Sequence, residues 1–503
     1  MNFLRRRSLE IGFIAVLLVV YIFFSAPGLT WGDGAFFALV MEGGARPIEH
    51  YGGHPVYLAA AKAFATVVPA GDLARRLNLF SSIAAACAAA LFLTVLVQLG
   101  VDRGAAICGT ALLAFSHLFW FHAEVAEVYA MFACFFFGTI ALLLRYLSVR
   151  SERNLQVLLF ILGLACGCHP LIILAYPGVA AALWRNRPAE RLGAKGIIRC
   201  ALAFVIGLGP VIYVFILGVA AAGVKQGFLN AFFLGHGPFA AKVFSLEFIT
   251  NPYLLGRNLL LFIAAWIYQF AGPAVVLVVM GIPRLWQKHR ELAVFALITA
   301  VINFLFAMRF SVSDQLVFFT PVFLLSALAG AFGAVRVIGW FRQERPAAAV
   351  LAVLLVLASA ACYYSAPFLY QGLGLQLASF RSKPYHDPVS YFLVPVKRNY
   401  RQVGRYVDKV FSELPEGAVV LLDSPDYLFL QYYQHVRGER EDVRTLHFYI
   451  AGPLRDAEIE GLARMLLARP THLGEAYAGV LGQYFELERV GITSRVMGRL
   501  QER

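Results

Sequence analysis

Charge is what this sequence has least of. Asp, Glu, Lys and Arg make up 15% of its 503 residues, where soluble chains carry about a quarter. With 60% hydrophobic residues and a mean hydropathy of +0.70, that shortfall excludes an ordinary soluble enzyme and leaves a polytopic membrane protein. Cysteine is sparse and badly placed for cross-linking. All seven lie in or at the edges of apolar runs and the polar C-terminal segment has none, which argues against a disulfide framework. No small-residue cleavage site follows the first apolar run, so the run after Arg5-Arg6-Arg7 reads as a retained first helix. No Gly-rich phosphate fingerprint follows the C-terminal strands, which removes support for a nucleotide-using enzyme. The net charge of +13 comes mostly from short loops between apolar runs. It reads as orientation bias and headgroup contact, with no nucleic acid as partner.

What is present is a ladder of apolar runs. Those long enough to span fall near 9–26, 79–98, 104–119, 126–145, 155–169, 170–184, 197–222, 266–283, 291–308, 315–335 and 346–366, about eleven in all. Alternate loops hold the cations, among them Arg145 with Arg150 and Arg153, Arg284 with Arg290, and Arg336 with Arg345. Those loops are read as cytoplasmic, which places residues 27–78, 223–265 and 367–503 outside. The expected fold is an all-α polytopic membrane domain over residues 1–366 with a small extracytoplasmic α/β domain over 367–503. The expected setting is a bacterial inner membrane, with the N-terminus cytoplasmic and the C-terminal domain periplasmic. Within that domain, residues 399–414 have helical periodicity, 418–422 and 443–448 read as short strands and 425–436 as a helix, a βαβ-like unit after a linker at 383–388.

The chain is organised around residues 30–57, which follow the first run and bring a carboxylate, two histidines and six glycines to the water–lipid boundary. Gly-rich backbone there gives up helical hydrogen bonds where water is scarce, which calls for a functional reason. Asp33 is the central candidate, although Gly-Asp-Gly is also an ordinary turn. Glu124 and Glu127, three apart, share a face if helical and serve either substrate hydroxyls or a helix N-terminus. His50 and His54 are read as substrate-binding or packing groups, with a metal shared with Asp33 as the other option. Cys166-Gly167-Cys168-His169 has metal-like spacing but no second Cys/His pair, so His169 is placed with the substrate groups and no metal ligands are assigned. Arg309, with Asp314 beside it, sits where a span ends outside and suits a lipid phosphate or plain snorkelling. Lys242 and Arg257 are the alternatives for the phosphate.

These motifs together resemble a known family. Trp31-Gly32-Asp33-Gly34, Gly53-His54-Pro55, Ala126-Glu127-Val128-Tyr129-Ala130 and Gly167-Cys168-His169-Pro170 resemble the protein O-mannosyltransferases of the transmembrane-260 type. Ser313-Asp314-Gln315 with Phe318-Phe319-Thr320-Pro321, and the later Leu414-Pro415-Glu416-Gly417-Ala418 and Arg440-Glu441-Asp442-Val443-Arg444, look like further landmarks in the same order. The resemblance implies a GT-C glycosyltransferase that moves a sugar from a polyprenyl-phosphate carrier to an acceptor hydroxyl of a protein or glycan outside the cytoplasm. Family members carry Asp-Ser-Gly-Glu where this chain has Asp33-Gly34-Ala35-Phe36. Glu42, Glu124 or Glu127 must then supply the second carboxylate.

Transfer with inversion needs one base for the acceptor proton and stabilisation of the departing phosphate, a requirement that Asp33 and the outward cations meet. No cofactor is required, and a divalent metal remains an option. The rival reading is a transporter or flippase of a lipid-linked sugar, for which charges near mid-membrane and internal repeats are typical; here the charges gather at one face and no repeat is evident. An assembly protein ranks third, because a far simpler anchor would serve it.

Overall fold

The computed structural model describes residues 8–43, 54–186, 192–232, 251–309, 314–374, 383–448, 450 and 454–500. His50 and Lys242 lie outside these residues. In chain order the helices of the membrane part are α1 (Ser8–Phe24), α2 (Gly34–Glu42), α3 (Pro55–Val67), α4 (Leu73–Gln98), α5 (Arg103–Ala114), α6 (His117–Glu124), α7 (Tyr129–Val149), α8 (Glu152–Cys168), α9 (Tyr176–Arg185), α10 (Ala194–Gly207), α11 (Gly209–Phe232), α12 (Pro252–Gln269), α13 (Val275–Lys288), α14 (Arg290–Ala307), α15 (Thr320–Ile338) and α16 (Glu344–Gly372).

Among the described residues six helical stretches are long and apolar enough to cross a membrane: α4, α7, α11, which is broken by non-helical backbone at Ala222 and Gly223, α14, α15 with its preceding 3-10 turn, and α16. The α5–α6 pair makes a seventh if its 69° bend lies within one span. The expected total of about eleven is not reached by length and composition alone, because several runs are broken. The run read at 266–283 is no single helix. It divides at Ala271 and Gly272, both at positive φ, and Pro273 then opens the turn into α13. The run at 197–222 likewise divides at Leu208, between α10 and α11. Within the stretch read as outside at 27–78, α3 and the start of α4 are helical.

Packing in the bundle relies on small residues, as it must where lipid tails give no hydrophobic contrast. A Cβ on Gly281 of α13 would lie 1.7 Å from the Ala329 carbonyl oxygen, and one on Gly333 of α15 would lie 1.9 Å from that of Leu277. The two backbones therefore touch, and neither site has room for a methyl group. Gly163 and Gly207 do the same for α8 and α10. The Ala-rich buried face of α4 (Ala84, Ala85, Ala88, Ala89) admits α7 closely in the same way.

The end of α1 is tied down by α4. Asp72 caps α4 by accepting the Arg75 N–H at 2.9 Å, which leaves the Arg75 guanidinium to donate to the carbonyls of Ser25 (3.1 Å) and Ala26 (2.9 Å). Asn78 donates to the carbonyls of Ala26 and Gly28, both at 2.9 Å. Backbone groups freed by the break after the first span are thus satisfied by side chains, as the water-poor setting demands.

Beyond α16 come α17 (Pro388–Leu393), α18 (Gln402–Glu413), β1 (Val419–Leu421), α19 (Asp426–His435), β2 (Arg444–Leu446), α20 (Asp456–Leu466), β3 (Thr471–Leu473), α21 (Glu475–Leu481), β4 (Phe485–Val490) and β5 (Thr493–Arg499). β1 pairs in parallel with β2, Val419 opposite Arg444, and with β3, Val419 opposite Thr471. The expected βαβ unit is therefore present. It is extended by an antiparallel β4–β5 hairpin into one sheet of order β2-β1-β3-β5-β4. This part is joined to the bundle by a continuous core, in which Phe429 and Leu430 of α19 pack with the residues around Trp31. The α19 helix rests on α2.

Candidate active site

The Trp31-to-Gly34 turn lies between α1 and α2, pressed against the segment that joins α6 to α7. Gly32 has φ +141°, and a Cβ there would stand 2.8 Å from Glu127 Oε1. Only glycine brings the turn this close to the glutamate. Asp33 occupies the N-cap of α2, its carbonyl accepting from Phe37 N at 2.9 Å, yet its carboxylate makes no capping hydrogen bond. The ordinary-turn reading of this residue therefore fails at the side chain, which is left free. Instead the Asp33 backbone N–H donates to Glu127 Oε1 at 3.2 Å, and the Glu127 N–H points to Ser81 Oγ at 3.4 Å.

That contact decides between the glutamates. α6 ends at Glu124 and residues 125–128 leave the helical path, so Glu124 and Glu127 do not share a face. Glu127 meets the Asp33 turn, whereas Glu124 is fully buried and accepts from Trp120 Nε1 at 2.9 Å. Its neighbours are Arg75 and Lys397, so it belongs to the support beneath the turn.

Asp33 is exposed although protein surrounds its carboxyl on most sides. Dehydration, then the nearby Asp314 charge, push it up to about 6. Glu127 is also pushed up, first by dehydration and then by the Asp33 charge. Asp314, whose turn is fixed by Gln315 Nε2 on the Ala307 carbonyl (3.1 Å) and Asn303 Nδ2 on that of Phe318 (2.9 Å), is raised by dehydration too. Burial thus raises both carboxyls of the pair, and Asp33 is the one that meets solvent.

The histidines are spoken for. His54 Nδ1 donates to the Cys168 carbonyl at 2.8 Å and its pKa is lowered to about 4 by burial. His169 Nδ1 accepts from Leu171 N–H at 3.0 Å, and the two rings lie 5.0 Å apart. The hydrogen-bonding and packing role is the one observed. Among the described residues no three of His, Cys, Asp and Glu converge to hold a metal ion. His122, missed as a partner of these rings, packs on Tyr129 at 4.6 Å; both its ring nitrogens are buried without partners in the described structure, facing a cavity of about 20 Å³. That volume suits one water molecule.

Of the candidate cations, Arg257 binds Asn258 Oδ1 at 3.0 and 3.2 Å, and Asn258 Nδ2 in turn holds the Met308 carbonyl at 2.9 Å. Asn258 thereby ties the start of α12 to the end of α14 at Met308. Sequence reasoning missed the layer above the turn. The 383–388 segment is no free linker: His386 stacks on Trp31 at 4.2 Å, and Lys383 bridges Asp426 (2.8 Å) and Asp423 (3.3 Å). Tyr391 donates its hydroxyl to the Trp31 carbonyl. Lys397 lies buried over the rings of Phe121 (4.7 Å) and Tyr391 (4.9 Å), its pKa lowered to about 7 by dehydration. Their only mark in the sequence is the Pro-rich, aromatic 383–400 stretch.

This fold, a helical bundle with a small α/β part packed against the turn after its first helix, is shared with solved structures. ArnT from Cupriavidus metallidurans, solved bound to undecaprenyl phosphate, superposes with a TM-score of 0.52 at 12% identity over 97% of this chain and 98% of that one. The oligosaccharyltransferase of Archaeoglobus fulgidus, solved with zinc and sulfate, gives 0.52 at 12% identity over 97% of this chain and 73% of that one. Residues 47–192 match the family described as the protein O-mannosyl-transferase TMEM260 N-terminal domain. Mouse protein O-mannosyl-transferase TMEM260 is 25% identical over 171 residues, 33% of this chain, and the match spans only 24% of that relative. The matched domain includes Glu124, Glu127, His54 and His169 and begins after Asp33.

Proposed function

We propose that this chain is a membrane glycosyltransferase that moves a sugar from a polyprenyl-phosphate-linked donor to a hydroxyl of a protein or glycan acceptor, on the extracytoplasmic face. The observation that carries the reading is the geometry of Asp33. Its side chain is freed of any capping duty and poised near neutrality, and its backbone is fixed on Glu127. The named relatives, an O-mannosyl-transferase and a lipid-carrier-bound ArnT, support the same chemistry.

In this mechanism Asp33 takes the proton of the acceptor hydroxyl as its oxygen bonds to the anomeric carbon. The bond from that carbon to the donor phosphate oxygen breaks on the opposite side, and the carrier phosphate leaves with the electron pair. Arg309, with Arg257 as the alternative, is assigned to that developing charge. Glu127 holds the loop from behind Asp33 and does not stand across a substrate from it, which distinguishes the site from the paired carboxylates of glycoside hydrolysis. No step is routed through a metal. The flippase reading has no comparable support, since it assigns no task to a tuned carboxylate.

The test is transfer from a polyprenyl-phosphate sugar by purified protein in lipid nanodiscs, comparing wild type with Asp33→Asn. Loss of the base should cost about a hundredfold to ten-thousandfold in rate, with donor binding nearly intact. Full activity in the Asn variant refutes Asp33 as base. Absence of transfer with any lipid donor by the wild type turns the case toward transport.

A further inference from the structure

A second cavity lies away from the Asp33 turn, on the lipid-facing side of α4 and α7. It has a volume of about 610 Å³. Its wall runs along α4 from Phe80 to Gln98 and along α7 from Met131 to Arg145, with Ala60 of α3 at the active-site end. At about 1.5 Å per residue the α4 side is roughly 27 Å long, close to the hydrocarbon thickness of a bilayer. The wall is apolar over nearly all of that length. Its polar groups of any reach, Gln98 and Arg145, sit together at the end opposite Asp33, where both helices terminate.

An occupant must therefore carry its charge at the far end and its apolar chain along the groove. The donor carrier has the opposite polarity, since its phosphate must reach the Asp33 side, and among the described lining residues no cation stands at that end. Arg145 is exposed and forms no ion pair among the described residues. Its guanidinium offers a fork of donors suited to a phosphate. We infer that the groove binds an anionic phospholipid of the leaflet opposite the active site, its headgroup phosphate on Arg145 and an acyl chain along α4 and α7.

Occupancy has a structural reach. Phe80, which lines the top of the groove, packs on Tyr57 with ring centroids 5.7 Å apart, and α7 begins two residues after Glu127. A chain filling the groove therefore braces the helix that follows Glu127. The inference does not depend on the transferase reading, since lipid retention is measured without turnover.

The experiment is native mass spectrometry of the delipidated full-length protein with phosphatidylglycerol, phosphatidylcholine of the same acyl chains, or a polyprenyl phosphate. Wild type should retain phosphatidylglycerol over phosphatidylcholine by roughly fivefold, the worth of one basic residue near an anionic surface. Arg145→Gln, a change at an exposed position, should abolish that preference, and Arg145→Lys should keep part of it. Gly138→Leu should lower retention of both phospholipids, because it projects bulk from α7 into the groove, where a Cβ on Gly138 would lie 4.0 Å from Leu91 Cδ1. Equal retention of the two phospholipids by wild type, or a preference that survives Arg145→Gln, overturns the assignment. Displacement of phosphatidylglycerol by polyprenyl phosphate with no dependence on Arg145 overturns it too, and gives the groove to the donor tail.

Discussion

Replacing Glu127 by Gln and by Ala separates two roles that one carboxylate can play. Gln keeps an oxygen where Oε1 accepts the Asp33 N–H at 3.2 Å, while Ala removes it and leaves that N–H to water. A hydrogen bond exchanged for one to water is worth about 0.5 to 1.5 kcal/mol. If the whole of that is lost from the positioning of Asp33 in the transition state, transfer slows by roughly 2-fold to 13-fold. The Ala variant should therefore fall by about that factor, and the Gln variant should stay within about twofold of wild type. The assay is single-turnover transfer in nanodiscs at several pH values, alongside donor binding to show that the site is still formed. The rising limb of the Gln variant should keep its midpoint, because the shift of Asp33 comes from dehydration and Asp314 and not from Glu127. A Gln variant as damaged as the Ala variant refutes the positioning role and makes the Glu127 carboxyl part of the reaction.

Three other outcomes can be checked with the same material. The rate should rise with pH through about 6 as Asp33 loses its proton, and Asp314→Asn should move that limb to lower pH, because the Asp314 charge helps to hold the Asp33 carboxyl above its usual range; an unmoved limb would place the titration elsewhere. Arg309→Ala should weaken donor binding while Lys restores only part of it, since the ammonium lacks the guanidinium fork; unchanged donor affinity moves the phosphate contact to Arg257 or Lys242. All seven cysteines are free thiols, so reductant should leave the melting temperature unchanged, and a marked fall would show a cross-link that the fold does not contain.

The parts of this fold that can be read in the sequence are those where one period dominates. Residues 418–422 and 443–448 are short apolar strands flanking a clear helix, and they pair as a parallel unit. The β4–β5 hairpin escapes such a reading because its outer strand, Phe-Glu-Leu-Glu-Arg-Val, is mostly exposed and half charged, so its alternation has few apolar points. The 266–283 run passes for one span because its break falls inside Phe270-Ala271-Gly272-Pro273-Ala274, where only the Gly-Pro pair interrupts the hydropathy. At the site, Asp33 is legible from its glycines and its place after the first span. Glu127 is not separable from Glu124, since the choice depends on a helix ending at residue 124. The roles of Tyr391, His386 and Lys397 arise from contacts across more than 270 residues, for which local pattern carries no signal.

The hydroxyl of Tyr391 on the Trp31 carbonyl joins groups 360 residues apart. At synthesis rates of about 5 to 20 residues per second, the ribosome needs roughly 20 to 70 s to travel that distance. A nascent chain can thus have its early helices made for tens of seconds before the tyrosine that fastens the Asp33 turn exists. The same order means that a protein released early, with every membrane helix through α16 complete, would lack the clamp altogether. The contact that fastens the Asp33 turn is thus among the last that the growing chain can make.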